Sequence, residues 1–199
     1  MNQQTVIFMG IQGSGKGTQA RLYRDYLQEK TNNSDTGVVL FETGASIRAF
    51  MKGEGYTQKL VHESMDRGEL QPQFLPCWLW SGAFIEQLQG QEHLIMEGSP
   101  RSILEAQMLD SALVFYKRDP VAIVHLELPE DEVMKRLKAR GRHDDTEESI
   151  RQRLGWYRDT VVPALDFCRD NPRYQVLDIN GNQSIEAVHA DVVAILKTL

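Results

Sequence analysis

Thr5-Val6-Ile7-Phe8-Met9-Gly10-Ile11-Gln12-Gly13-Ser14-Gly15-Lys16-Gly17-Thr18 runs from an apolar stretch through a glycine-rich turn into a segment with helical spacing. It contains G-x-x-x-x-G-K, followed by a small residue and a hydroxyl. Glycines let backbone N–H groups converge, and the helix N-terminus that follows adds a positive field, so the loop is suited to cradle phosphate oxygens. Lys16 is placed to reach the outer phosphates of a nucleoside triphosphate. Gly17 stands where Ser or Thr usually gives a direct hydroxyl to magnesium, and Thr18 follows one residue later. An incidental lysine in a glycine turn would not require strand, loop and helix in that order.

Outward from this stretch, four further apolar runs at 38–41, 93–96, 121–126 and 174–177 read as strands. Each is nearly continuous rather than alternating, as expected where both faces of a parallel sheet are covered. Helical spacing between them, at 17–29, 130–140, 150–167 and 184–199, predicts a doubly wound α/β domain with right-handed crossovers. Two segments exceed a minimal βαβ count: 43–90, with helical stretches near 46–51, 58–67 and 74–88, and the charge-dense 136–153. Insertions after strands lie at the carboxyl edge of such a sheet, so both should flank the site.

The chain has 199 residues and a formal net charge of −6, with 22 basic and 28 acidic side chains. One core of ordinary size is expected, and a general nucleic-acid binder would want a basic face instead. No run approaches the roughly 20 apolar residues of a membrane span, and the first residues lack the basic start and cleavage site of a signal peptide. A cytoplasmic protein without nucleic-acid or membrane partners is expected. Cys77 and Cys168 cannot make a disulfide framework or a zinc site and read as buried thiols. The histidines at 62, 93, 125, 143 and 189 are scattered and suggest surface or strand-end roles.

Gly15-Lys16-Gly17-Thr18-Gln19-Ala20 resembles the adenylate kinase family of nucleoside monophosphate kinases, and the match continues along most of the chain. Thr43-Gly44 with Arg48 is similar to the family's acceptor helix, and Gly68-Glu69-Leu70-Gln71-Pro72 to its Gly-x-Leu-Val-Pro segment. Glu97-Gly98-Ser99-Pro100-Arg101 resembles Asp-Gly-Phe-Pro-Arg. Arg136, Arg140, Arg142, Asp144, Asp145, Glu148, Ile150, Arg153 and Leu154 follow the pattern of its lid and return helix. The resemblance implies a three-layer P-loop NTPase domain over 1–199 around a parallel five-stranded sheet. An acceptor-binding helical excursion is expected at about 42–71 and a short lid at about 139–145. It also implies a monomer acting on small-molecule nucleotides, with Mg2+ accompanying ATP, and reversible transfer of the γ-phosphoryl group to a monophosphate, AMP first among them.

That reaction needs no general base, because the acceptor oxygen is already ionised. It needs charge neutralisation, in-line positioning and exclusion of water. Two nucleotides bring together about six negative charges, of which magnesium offsets about two. By resemblance Gly13, Ser14, Gly15, Lys16, Gly17, Thr18, Arg136, Arg140 and Gln183 hold ATP. Thr43, Arg48, Glu69, Leu70, Gln71, Gly98, Arg101, Glu105, Arg142 and Arg153 hold the acceptor. Lys16, Arg101, Arg136, Arg142 and Arg153 surround the transferred group. No direct metal ligand is expected; Thr18 and Glu97 would act through water. Asp144-Asp145 admits a metal reading, but Asp145 with Glu148 reads better as a capping-box start for the helix carrying Arg153.

The chain departs from the family's pattern at Gln12, Ala45, Ser99 and Glu105. Glu105 falls where the family has a glutamine that reads the acceptor adenine. An ionised carboxylate only accepts hydrogen bonds, whereas an amide also donates. A weakened AMP preference or a broader choice among GMP, CMP, UMP and deoxynucleotides is one reading, with Gln107 as a substitute; a solvent-facing helix glutamate is the other. A regulatory GTPase would need an Asn-Lys-x-Asp base reader together with an Asp-x-x-Gly switch in register after a strand, and the sequence has no such pair. A non-catalytic nucleotide-binding regulator would be expected to have lost some of the arginines.

Overall fold

Side chains along the central strand β1 (Thr5–Gly10) alternate between two cores, which is why its sequence is apolar from Val6 to Met9. Residues 3–31, 37–141 and 145–198 are described by the computed structural model. β1, β2 (Val38–Glu42), β3 (His93–Glu97), β4 (Val121–Glu127) and β5 (Tyr174–Asn180) form one sheet in the order β2-β3-β1-β4-β5, with every neighbouring pair parallel. Ile7 and Met9 face a core built with α4 (Phe74–Gln87), α5 (Ile103–Phe115) and α8 (Val162–Arg169). Val6 and Phe8 face α1 (Lys16–Lys30) and α9 (Ile185–Leu196). The expected α/β class with a five-stranded parallel sheet is therefore the observed one. Among the described residues no helix is long and apolar enough to cross a membrane.

Two smaller clusters carry the elements around the sheet's carboxyl edge. Ile47 of α2 (Thr43–Phe50), Val61 of α3 (Tyr56–Asp66) and Leu75 of α4 pack together. Ile11 of the loop after β1 packs with Val133 and Leu137 of α6 (Glu130–Arg140) and with Ile150 and Leu154 of α7 (Glu147–Trp156). Cys77 and Cys168 are buried free thiols, and burial pushes their pKa values up to about 11 and about 12.

The structure departs from the sequence reading in two local respects. The helix expected over 150–167 is broken by a π-turn, Tyr157–Val161, between α7 and α8. Pro163 has no N–H to give to the carbonyl of Asp159, so the ladder re-forms with a wider turn. The cap of α7 is Thr146, whose side chain accepts from Ser149 N at 3.2 Å, and not Asp145.

Gly10 ends β1 with φ +136°, and a Cβ there would lie 2.5 Å from the Leu126 carbonyl oxygen. Strand β4 leaves no room for that atom, and only glycine tolerates the torsion. Gly10→Ala is expected to lower Tm by about 5 °C or more, measured by thermal circular dichroism. An unchanged Tm would show that the β1–β4 pairing yields more easily than these contacts imply.

Candidate functional site

The turn after β1 is shaped by Gly13 and Gly15, at φ +90° and +95°, with Gly15 immediately preceding α1. A Cβ on Gly13 would press on the Leu137 side chain at 3.2 Å, so the loop and α6 approach as closely as glycine permits. The loop opens on a cavity of about 480 Å3 at the carboxyl edge of the sheet, with Gly13, Gly15, Lys16, Gly17 and Thr18 in its wall. Ser14 lies behind that wall, and its Oγ is buried without a hydrogen-bond partner in the protein. Lys16 is half-buried; its Nζ donates to the Ile11 carbonyl at 2.8 Å. Burial lowers its pKa to about 8; the Glu97 carboxylate opposes the shift, and Arg101 and Arg140 add to it.

Cations from four elements meet in the same cavity: Arg48 from α2, Arg101 from the loop after β3, Arg136 and Arg140 from α6, and Arg153 from α7. Arg101 is oriented by donation from Nε to the Gly98 carbonyl at 2.6 Å. Arg136 Nε reaches Glu132 on its own helix at 3.3 Å. Arg140 and Arg153 both pair with Asp145, at 2.7 and 2.9 Å, and the Asp145 side chain is 1% exposed. One buried carboxylate thus holds two guanidinium groups at the cavity wall.

Glu42 and Glu97 end adjacent strands as register partners, and both line the cavity. Glu42 is ion-paired to Arg21 of α1. Thr18 and Glu97 place hard oxygen donors beside the phosphate loop, a donor set that suits Mg2+ held through water. Elsewhere His125, Glu127 and Asp178 come within metal-binding reach of one another. Both nitrogens of His125 are engaged there, with Asp178 and with the Tyr157 hydroxyl, each at 2.7 Å. Asp178 also accepts from Arg169, at 2.5 Å. His125 and Asp178 thus belong to a hydrogen-bond chain that ties the π-turn to β4 and β5.

A second cavity, about 240 Å3, adjoins the first and shares Leu70 and Arg101 with it. Thr43, Ile47, Gln71, Pro76, Glu105 and Thr160 contribute to its walls. Glu105 is 3% exposed, which removes the solvent-facing reading. Burial raises the pKa of its carboxyl, against the lowering effects of Arg101 and Ser99. Gln71 is held by hydrogen bonds with Ser64 of α3 at 2.8 and 3.1 Å.

Most expected site residues come together in these two cavities; a few do not. Glu69 is exposed and its carboxylate is tied to the Arg67 guanidinium at 2.8 and 2.9 Å, so it lines neither cavity. Gln183 also stands outside, donating to the Asn180 carbonyl and to Asp191, each at 2.9 Å. Gly98 and Thr43 are in place, but Arg142 lies outside the described residues, as do His143 and Asp144. Sequence reasoning overlooked Arg21, Glu42, Trp156 and Tyr157, all of which line the larger cavity. Glu42 could have been found from its position, an acid directly before Thr43-Gly44 at the end of an apolar run.

Comparison with known proteins gives the same picture from an independent direction. The family model described as adenylate kinase matches residues 8–172. "Adenylate kinase 1" of Nostoc sp. is 35% identical over 191 residues, covering 96% of this chain and 97% of its own. "Adenylate kinase" of Bacteroides thetaiotaomicron is 32% identical, over 94% and 95% of the two chains. "Adenylate kinase 1" of Synechocystis sp. is 31% identical, over 96% of each. Similarity that runs nearly end to end, over a parallel sheet whose phosphate loop opens on a cluster of arginines, places this chain in the adenylate kinase family of phosphotransferases.

Proposed function

We propose that this enzyme transfers the γ-phosphoryl group of ATP, accompanied by Mg2+, to the phosphate of AMP, giving two molecules of ADP. The observation that carries the reading is the junction of the two cavities at Arg101. A donor triphosphate on the Gly13–Thr18 loop and an acceptor base in the smaller cavity would bring their phosphates to the same guanidinium.

In this reading Lys16 and the loop N–H groups grip the outer phosphates of ATP. Arg48 and Arg101 hold the acceptor phosphate, and Arg136, Arg140 and Arg153 neutralise charge as the transferred group passes between oxygens. Arg142 would join them. Thr43, Leu70, Gln71, Gly98 and Glu105 would shape the acceptor's place. Thr18 and Glu97 would hold Mg2+ through water, and the ion would supply charge neutralisation there. The cations are arginines because a guanidinium stays protonated and grips phosphate with two parallel donors. All the described residues named belong to one chain, so a monomer suffices.

A coupled assay for ADP with MgATP against AMP, GMP, CMP and UMP tests the reading. AMP is expected to give the highest kcat/KM near pH 6.5. Absence of ADP formation with every acceptor would overturn it.

A further inference from the structure

We propose that Glu105 reads the acceptor base as a neutral carboxylic acid, so that the choice between an adenine-type and a guanine-type acceptor depends on pH. This deepens the kinase reading above and rests on it. The structural basis is the smaller cavity. Its walls are apolar or neutral at Ile47, Leu70, Pro72 and Pro76 and at Thr43, Gln71 and Thr160. Glu105 is the one carboxyl among the described residues that line it.

Helix capping does not account for a carboxyl at this position. Ser102 caps α5 by accepting from Glu105 N at 3.2 Å, and Glu105 Oε2 accepts from Arg101 N at 2.8 Å. A glutamine would accept that N–H equally well. What glutamine and glutamate do not share is the hydrogen-bonding character of the remaining edge. An amide offers a donor beside an acceptor, which complements the ring nitrogen and amino group of adenine. A carboxylate offers acceptors alone, which complement the adjacent ring N–H and amino group of guanine. A carboxylic acid regains the donor and therefore imitates the amide.

The surroundings favour a carboxyl able to take either form. Ser99, 1% exposed, accepts from Thr43 Oγ1 at 3.0 Å and hydrogen-bonds in turn to Glu105. Two of the sequence's departures from its family, Ser99 and Glu105, are therefore in contact. The charged or titratable neighbours are few. Arg101 faces the carboxyl from the loop after β3, and Cys77 from α4, where its thiol stays protonated. Toward the cavity, α2 presents Thr43 and Ile47 and the π-turn presents Thr160, none of them ionisable. Burial raises the carboxyl's pKa, which brings its titration closer to neutral pH. Adenine binding near that pKa draws a proton from solvent onto a Glu105 carboxylate oxygen; guanine binding draws none.

The test measures kcat/KM for AMP and for GMP between pH 5.5 and 8.5, in the wild type and in Glu105→Gln. The AMP-to-GMP ratio cancels the titration of the acceptor phosphate, which both nucleotides share. In the wild type the ratio is expected to fall by about tenfold as pH rises, the equivalent of one lost hydrogen bond. In Glu105→Gln it should be independent of pH and at least as high as the wild type's acid limit. Proton uptake on AMP binding, followed with an indicator dye in weak buffer across the same pH range, should peak at about half a proton per site in the wild type, as a tenfold change implies, and vanish in the variant. If Glu105→Gln fails to fold, the wild-type ratio and proton uptake still decide. Phosphorylation of AMP with a flat ratio and no proton uptake overturns the inference and leaves the kinase reading standing. No phosphorylation of any monophosphate overturns the kinase reading itself.

Discussion

Replacing Lys16 by Met is expected to lower kcat/KM by about 10^3-fold while raising the Tm of the nucleotide-free protein. The two effects have one cause. In the empty site the ammonium is half-buried, donates to the Ile11 carbonyl and lies among Arg101 and Arg140, with Glu97 as the compensating charge. Its pKa, about 8, is well below the 10.5 of a free lysine. Between those values the unfolded chain binds more protons than the folded one, so stability should rise as pH climbs from about 8 to about 10.5. Conversely, below pH 8 the folded protein carries a cation that it would hold more cheaply in water. Removing that cation should return roughly 1–3 kcal/mol, a few degrees of Tm. Phosphates reverse the balance, because a cation that is costly in the empty site becomes the partner of the charge being transferred. Differential scanning calorimetry on both proteins, with and without MgATP, checks this. Wild-type protein should gain Tm on adding MgATP and the variant should gain little. A variant with lowered Tm in the empty state, or with turnover near wild type, would show that Lys16 acts as a structural brace for the loop.

How much of this was legible beforehand follows from where physical constraints are local. The strand runs at 5–9 and 121–126 could be read because burial on both sheet faces forces a nearly continuous apolar sequence. The phosphate loop could be read because glycine torsions, a helix start and a lysine must be contiguous. Polar strand ends could not: Glu42, Glu97 and Asp178 belong to strands by hydrogen bonding, against their propensity. The π-turn was missed although Pro163 announced a break, because a proline tells where a ladder fails and not how it resumes. Glu69 and Gln183 show a different limit. Each sits at a motif position, yet each side chain is claimed by a neighbour, Arg67 in one case and Asp191 in the other. Glu105 shares the helix face of the buried Leu109 and Leu113, so its spacing hinted at burial, but the walls that cover it come from α2 and from residues 70–76 and could not be read from its own helix.

Asp145 is the residue whose role changed most between sequence and structure, and Asp145→Asn carries the second large expected effect. Its carboxylate receives Arg140 through two nitrogens, at 2.7 and 2.9 Å, and Arg153 at 2.9 Å, with 1% of the side chain exposed. Asparagine preserves the volume but offers a donor where the carboxylate offers an acceptor, so a guanidinium would meet an N–H group. Breaking a buried pair on one side typically costs about 3–5 kcal/mol, because the remaining charge stays out of water. A Tm lower by about 6 °C or more is therefore expected. Turnover should fall further than folding alone explains. Arg140 and Arg153 line the cavity beside the phosphate loop, where their guanidinium groups would meet phosphate. Without the Asp145 carboxylate Arg140 loses its two-nitrogen partner and Arg153 one of its contacts, and loss of preorganisation of this kind costs about 10–100-fold in kcat. The measurement is kcat at 15 °C, far below either Tm, alongside thermal denaturation. A lowered Tm with kcat unchanged at 15 °C would confine Asp145 to holding the fold. A fall in kcat with acceptor KM nearly unchanged would make it the residue that keeps two phosphate-facing arginines in register, acting on the reaction without touching the substrate.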